Sequence, residues 1–415
     1  MKFLLTALLA LIFNFMQAQV IISEYSSSNL RDFEDNFGEH DDWIELHNAG
    51  NNDVNIGGWY LSDKESKPKK WAIPKGTIIE AGGYLLFWAS GRDVAVDGNF
   101  HTNFKFTQTN GDEFVILANA AGTIIDKTPV ELTALSHSRG RRAGQGLTWF
   151  IFTQPTPGYA NEGAWYKAYT PRPKIQTKAG FYDNAITTEV NGTAGFDLRY
   201  TLDGRNVSED DEIYTGSIEI DATSVLKVRH FSTDTLVLPG LMDFATFFIN
   251  EPETKLPVVS VASDEAITLA DGDRNLNPIS SFEYFDRNGE KKATSFGELD
   301  SHGQDSWINP QRSLDWISRD EMGYNSGAKE KIFSYSERDE YQRIILRASG
   351  DDNYPSVGDF DHEGSTHIRD EYVHTLVQKG GMHLDVRALE RCLVYINGVY
   401  WGVYTLRERP DDHDY

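Results

Sequence analysis

Short runs that alternate apolar and polar residues, each closed by Gly, Asn or Asp, recur along most of this chain and fix its character as β-rich. In Asp42-Trp43-Ile44-Glu45-Leu46-His47-Asn48 the period of two puts Ile44 and Leu46 on one face and Glu45 and His47 on the other. Residues 20–25, 59–63, 84–88 and 114–117 read the same way, and nothing in this first segment keeps a helical period over three turns. Many short strands with turns between them indicate a sandwich. The chain has a single cysteine, Cys392, so no internal disulfide can form and each module must rest on its apolar core. Cys392 alternates with Val394 and Ile396 on a strand, which makes it a packed core residue rather than a nucleophile.

At the start, Lys2 precedes an apolar run from Phe3 to Phe15, followed by Gln17, Ala18 and Gln19. The run is short for a bilayer span and reads as a cleavable secretory leader over 1–18, with Ala18 last before the cut. We therefore expect export to the medium or the cell surface and no stable membrane span. The formal net charge is −24. Such a chain repels phosphate backbones, so nucleic acid is excluded as a partner, and most of this acidity is solvated surface.

Within 20–161, Asp42-Trp43-Ile44-Glu45-Leu46-His47-Asn48 is followed by Gly58-Trp59 with Leu61-Ser62-Asp63. Gly83-Tyr84-Leu85, His101-Thr102-Asn103-Phe104 and Pro155-Thr156-Pro157-Gly158 come next. In that order they resemble the lamin-tail domain, which implies an immunoglobulin-like sandwich with a binding or spacing role. Pro155, Pro157, Pro171 and Pro173 bracket a linker. A second module is expected over 175–250. There 196–202 alternates and stops at the turn pair Asp203-Gly204, and 225–231 sets Leu226 and Val228 on one face. Arg199-Tyr200-Thr201-Leu202-Asp203-Gly204 and Val225-Leu226-Lys227-Val228-Arg229 resemble the small sandwich at the C-terminus of chitobiases and hexosaminidases, an accessory module that carries no catalytic residue.

The third segment, 256–415, is mixed. Strands are expected at 282–286 and 341–347, and a helix over 365–379 with Ile368, Tyr372, Leu376 and Val377 on one face. A hairpin turns at Asn397-Gly398, the favoured type I′ pair. The segment has no phosphate-cradling G-x-x-x-x-G-K-S/T loop, zinc H-E-x-x-H, G-x-S-x-G turn, H-R-D or D-F-G string. Without a family likeness, these residues say only that an α/β end follows the sandwiches.

A likeness is present. Ser281-Phe282-Glu283-Tyr284-Phe285-Asp286, Pro310-Gln311-Arg312-Ser313-Leu314, Leu346-Arg347-Ala348-Ser349-Gly350 and His367-Ile368-Arg369-Asp370 are followed by the long string from Val394 to Glu408. In order and spacing they resemble the spore-coat CotH family of atypical protein kinases. The resemblance implies a kinase-like domain that takes ATP and a divalent metal and phosphorylates Ser or Thr of exported proteins. A triphosphate needs a fixed cation on a strand, held by a carboxylate from a helix. Arg312 stands where the family pattern has a lysine, and Asp370 or Glu371 would orient it. An Arg forks differently from a Lys, which puts ordinary ATP coordination in doubt. Arg407 and Glu408, at the end of the hairpin, would reach the nucleotide. Arg369, Asp370 and Glu371 read equally well as a solvated helix face, and Arg407 with Glu408 as a structural pair.

Other polar groups have bland readings beside sharper ones. His302 precedes Arg312 and reads as a surface residue or as part of a phosphate loop. Asp351, Asp352, Asp359, Asp361, His362 and Glu363 form an acidic loop, solvated or metal-binding. Asp271, Asp273 and Asn275 mimic the start of a calcium loop, but Leu276 stands where glycine is required and Phe282 where glutamate is required.

The fold expected is thus multidomain: two β-sandwich modules, the first immunoglobulin-like, then a partial α+β atypical kinase-like domain. The hairpin lies close to Tyr415, so we expect a fragment whose catalytic residues lie beyond it, inactive alone. The partner expected is an exported protein substrate or a cell-envelope component. The alternative is a non-catalytic envelope binding or structural protein with a degenerate kinase-like domain. A glycoside hydrolase is disfavoured, since no carboxylate pair in a barrel context accompanies the chitobiase-like stretch.

Overall fold

The computed structural model describes residues 19–353, 365–384 and 386–409; the expected leader over 1–18 lies outside them. The first module is a sandwich. Its larger sheet has Val20–Ser26, Asp42–Asn48 and Tyr84–Ala89 at the centre, flanked by Ser138–Arg141 and Trp149–Phe152 on one side. Phe114–Ala118 and Tyr60–Ser62 lie in the facing sheet with Ile124–Pro129 and Trp71–Ala72. Ile22, Ile44, Leu46 and Phe87 from one sheet meet Leu61, Trp71, Val115 and Leu117 from the other. The alternation at Ile44 and Leu46 is therefore the core face, as read.

Its other face departs from the reading. Glu45 is fully buried, as is Glu24 opposite it on the neighbouring strand. The segment 155–158 covers both. Glu45 Oε1 accepts from Ser23 Oγ at 2.6 Å, and its other oxygen accepts from Gly158 N. Glu24 accepts from Thr156 N at 3.3 Å, from Thr156 Oγ1 at 3.3 Å and from Ser138 Oγ. Among the described residues no cation joins them, and burial pushes Glu24 up to about 7 and Glu45 up to about 8. The stretch expected as a linker is thus pinned at its start. Farther on, Ala168–Tyr169 pairs in parallel with Val237–Leu238 of the second module.

The second module is built on a five-stranded sheet: Gly180–Tyr182, Asp243–Ile249, Ser224–Phe231, Asp197–Thr201 and Glu212–Ile213. Leu226 and Val228 lie in its core with Ile218, Ile220 and Phe247. That core also takes in Val258, Phe285 and Tyr395 from the third segment, so the two bury apolar surface together. On the opposite face from Leu226, the wholly buried Lys227 donates to Ala262 O at 2.9 Å and Asn206 Oδ1 at 3.1 Å. Burial pulls its ammonium down to about 7.

The third segment closes into a barrel. Its strands are β1 (Val258–Ala262), β2 (Ile279–Phe285), β3 (Lys291–His302), β4 (Ser313–Ser318), β5 (Arg343–Arg347), β6 (Leu389–Ile396) and β7 (Val399–Glu408). They run in the order β1-β2-β3-β4-β5-β7-β6, and parallel pairing of β1 with β6 completes the ring. Phe282, Leu314, Trp316, Ile344, Leu346, Cys392, Val394, Tyr404 and Leu406 fill the interior, sealed at one end by the short α1 (Ala266–Ala270). Cys392 is free and wholly buried, and burial pushes its thiol up to about 12. Asn397 and Gly398 have φ of 51° and 77°, the two left-handed residues that a type I′ turn requires. The helix α2 (Arg369–Lys379) lies against the outside of the barrel. Among the described residues no helix is long and apolar enough to cross a membrane.

Candidate functional site

Since Leu314, Leu346 and Leu406 point inward, their neighbours along each strand point outward. The register places Arg347 beside Thr405 and Ile345 between Asp315 and Arg407. On the far side of β7, Arg391 sits opposite Thr405. The outer face of β4, β5, β7 and β6 therefore carries Asp315, Arg347, Arg407 and Arg391, and α2 covers it.

The helix meets this face with its polar side. Asp370 Oδ2 lies 2.6 Å from Arg407 Nη1 and 3.0 Å from Arg347 Nε. One turn on, His374 Nε2 accepts from Arg407 Nη2. Glu371 is buried with both carboxylate oxygens lacking a hydrogen-bond partner, and its nearest cation is Arg391 Nη1 at 4.0 Å. Of the apolar stripe expected on one face, Ile368, Tyr372 and Leu376 are 49%, 64% and 54% exposed, while Val377 is half-buried. The outer sheet carries Arg347, Arg391, Arg407 and Asp315 around the buried Ile345, and α2 turns its carboxylates and imidazole toward those charges.

The start of α2 is held from a distance. Ile368, at its N-cap, offers no side-chain cap. Asp352 supplies one, accepting from the backbone N of Thr366 at 2.8 Å, Ile368 at 2.8 Å and Arg369 at 2.9 Å. Burial opposes its ionisation, but these donors outweigh burial and hold the carboxyl below the usual range. Asp352 is thus a capping residue. The other acidic-loop residues, Asp359, Asp361, His362 and Glu363, and the Asp351 side chain lie outside the described residues.

Electrostatically the layer is rich in cations. Burial lowers Arg407, Asp370 opposes that shift, and Arg347 and Arg387 add to it. Burial also lowers His374, aided by the Arg407 charge, so the imidazole is neutral and can accept from that guanidinium. Arg407 Nε is buried with no hydrogen-bond partner. Farther along the same face, Asp315 is bound by Arg409 and by His302 Nδ1 at 3.1 Å. His302 thus belongs to the sheet face rather than to a loop.

Arg312 points the other way, with the parity of Leu314. Its Nε donates to Trp307 O at 2.9 Å, and Nη1 donates to Ala270 O at 3.2 Å and Pro310 O at 3.3 Å. It closes the mouth of the barrel over Trp307 and meets neither Asp370 nor Glu371. Glu408 also has the inward parity and pairs with Arg338 at 2.8 Å. The imitation calcium loop is a local turn, in which Asp273 Oδ1 accepts from Asn275 N at 3.2 Å. The sequence-based candidates therefore divide: Asp370, Glu371 and Arg407 share one face, while Arg312 and Glu408 lie elsewhere. Arg347, Arg391 and His374 join the site without having been singled out. Their signal was present, since Arg343 and Arg347 alternate with Ile344 and Leu346, as Arg407 alternates with Leu406.

The layer combines cationic donors with one buried carboxylate, Glu371, that has no hydrogen-bond partner. Three guanidinium groups line one face, a neutral imidazole keeps one in place, and a buried N–H has no acceptor.

Comparison with known families gives three matches in series. Residues 16–130 match the Lamin Tail Domain and residues 177–236 the chitobiase/β-hexosaminidase C-terminal domain. Residues 299–415 match the CotH kinase protein family. No curated protein matches the chain. The third match begins in β3 and takes in every residue of the arginine layer. This is a multidomain chain in which a lamin-tail sandwich and a chitobiase-type sandwich precede a CotH-like domain.

Proposed function

We propose that the chain is exported and that its barrel with α2 is the nucleotide-holding part of an ATP-dependent protein Ser/Thr kinase. Its substrates would be other exported proteins. The observation that carries this reading is the strand cation clasped by a helix carboxylate, Arg407 and Arg347 on Asp370, beneath a helix with the family's sequence. Such a clasp keeps a guanidinium in one rotamer, ready for phosphate oxygens, and couples its position to the helix. ATP would bring the phosphoryl group for transfer, and a divalent metal would neutralise its charge. Arg347 and Arg407 would orient the phosphates, Asp370 and His374 would hold the arginines, and Asp352 would hold the helix.

Titration of the full chain with ATP and Mg2+ tests this. Arg407→Ala should weaken nucleotide binding about 10–100-fold, the loss of a charge-assisted hydrogen bond. Arg312→Lys should leave it unchanged. Equal affinity in wild type and Arg407→Ala would sink the reading.

A second reading has its own support. Each of Arg347, Arg407 and Arg409 already has a carboxylate partner, as in a network that only fastens a helix to a sheet. In that case the domain is a non-catalytic envelope binding module. Nucleotide would then bind neither protein.

A further inference from the structure

Away from the arginine layer, polar side chains converge at the edge of the first sandwich. The segment 27–41 crosses between Val20–Ser26 and Asp42–Asn48 and carries Asp35 and Asp41. Asp35 is buried. Its Oδ1 accepts from Phe37 N at 2.7 Å and Glu39 N at 2.9 Å, which fixes the carboxylate and aims Oδ2 inward. That Oδ2 has no hydrogen-bond partner, and neither has Asp41 Oδ2. The Asp35 side chain is wholly buried and that of Asp41 is 10% exposed.

Between them comes His101, fully buried at the end of strand Asn99–His101. Its Nε2 lies 2.7 Å from Asn36 Oδ1. An amide oxygen only accepts, so the ring proton sits on Nε2 and Nδ1 presents a lone pair. Nδ1 is 3.0 Å from Ser90 Oγ and 3.8 Å from Asp35 Oδ2. One ligand atom from each of Asp35, Asp41 and His101 lies within 4.8 Å of the others. Two orphan carboxylate oxygens and the Nδ1 edge of the imidazole thus lie around a common point, and the Nδ1 lone pair accepts from Ser90 Oγ, a hydrogen bond that a metal ion would replace. Arg92 and Lys105 supply counter-charge from the rim. Arg92 Nε stays 3.8 Å from Asp35 Oδ2 and 3.7 Å from Asp41 Oδ2, too far to hydrogen-bond either. Lys105 Nζ is 3.4 Å from Asp41 Oδ1.

We propose that Asp35, Asp41 and His101 bind one divalent transition-metal ion, zinc or manganese. The mixed nitrogen and oxygen donors favour that class over calcium or magnesium, which take oxygen alone. Donors around a tetrahedral zinc stand about 3.5 Å apart, so the side chains close by about 1 Å on binding. Arg92, which rests on the Phe37 ring at 4.8 Å, moves outward or remains as outer counter-charge. Asn36 is a positioning residue that sets the histidine tautomer, as outer partners of metal-bound histidine do. The ion would tie 35–41 to the strand ending at His101. The same segment carries Arg31, which pairs with Glu298 of the barrel, so the metal would brace the strap that docks the first module.

The test is metal content and affinity of the full chain, read by competition with a chromophoric chelator for Zn2+ and for Mn2+. One ion per chain is expected, with Ca2+ unable to compete. Asp41→Asn and His101→Gln should abolish it. Asn36→Ala, an exposed change that does not threaten folding, should weaken it about 10–100-fold. A wild-type chain that holds neither ion would overturn the proposal. So would one ion retained at full affinity by Asn36→Ala and Asp41→Asn, since the ion would then lie elsewhere.

Discussion

Two regions of this molecule hold carboxylates against a covering segment, and they satisfy them in two different ways. In the first sandwich, Glu24 and Glu45 meet only hydroxyl and backbone N–H donors, and burial raises them to about 7 and about 8. Both hold their protons far above the usual carboxylate range, Glu45 more firmly than Glu24, and peg the segment 155–158. Under α2, Asp370 meets guanidinium groups instead, and the layer retains both an N–H of Arg407 without an acceptor and the Glu371 carboxylate without a donor. The first arrangement is complete in itself and explains a fold. The second leaves polar groups of both signs unsatisfied, and the proposed nucleotide site rests on the cationic ones.

The largest effect that would sharpen this contrast lies in the pH dependence of the first region. The unfolded chain releases the Glu45 proton near 4.5, whereas the folded chain keeps it to about 8. Stability from this group is full below 4.5, falls as pH rises through that window and levels off above 8. Glu45→Gln should remove that slope and be more stable than wild type above pH 8, by on the order of 4 kcal/mol. Urea melts at pH 4 and pH 8.5 check it. Equal slopes in both proteins would show that Glu45 is ionised in the folded state and that the two regions are alike.

In the second region the sign reverses. Asp370→Ala should cost about 2 kcal/mol, because it strands Arg407 and Arg347 beneath the helix. The melt of the full chain checks it, and a gain in stability would mean the carboxylate is not their partner. A smaller loss, about 1 kcal/mol, is expected for Arg312→Lys, which gives up forked hydrogen bonds to the carbonyls at the barrel mouth. Smallest of all, Leu376→Ser on the exposed stripe should change stability by less than about 0.5 kcal/mol. A large loss there would mean that α2 buries the face the sequence suggested.

Much of the fold could be read beforehand because the strands announce themselves locally. The type I′ pair Asn397-Gly398 and the alternation around Ile44, Leu226 and Leu346 depend only on near neighbours. What could not be read depends on distant chain. The alternation placed Glu45 opposite Ile44 and Leu46, but its burial depends on the distant segment 155–158. The apolar stripe of α2 stays largely exposed because the sheet beneath presents arginines. Arg312 resembled the phosphate cation by string position, yet its inward parity with Leu314 sends it to the barrel mouth. Asp370 and Arg407 were both singled out, but their union needs the β5–β7 register, which no local signal carries.

Hydrogen–deuterium exchange of the full chain with and without ATP and Mg2+ measures directly where a nucleotide lands. Slowed exchange is expected in Arg369–Lys379, Arg343–Arg347 and the end of Val399–Glu408, with residues 307–312 unchanged. Protection centred on 307–312 with α2 unaffected would contradict a nucleotide site beneath α2.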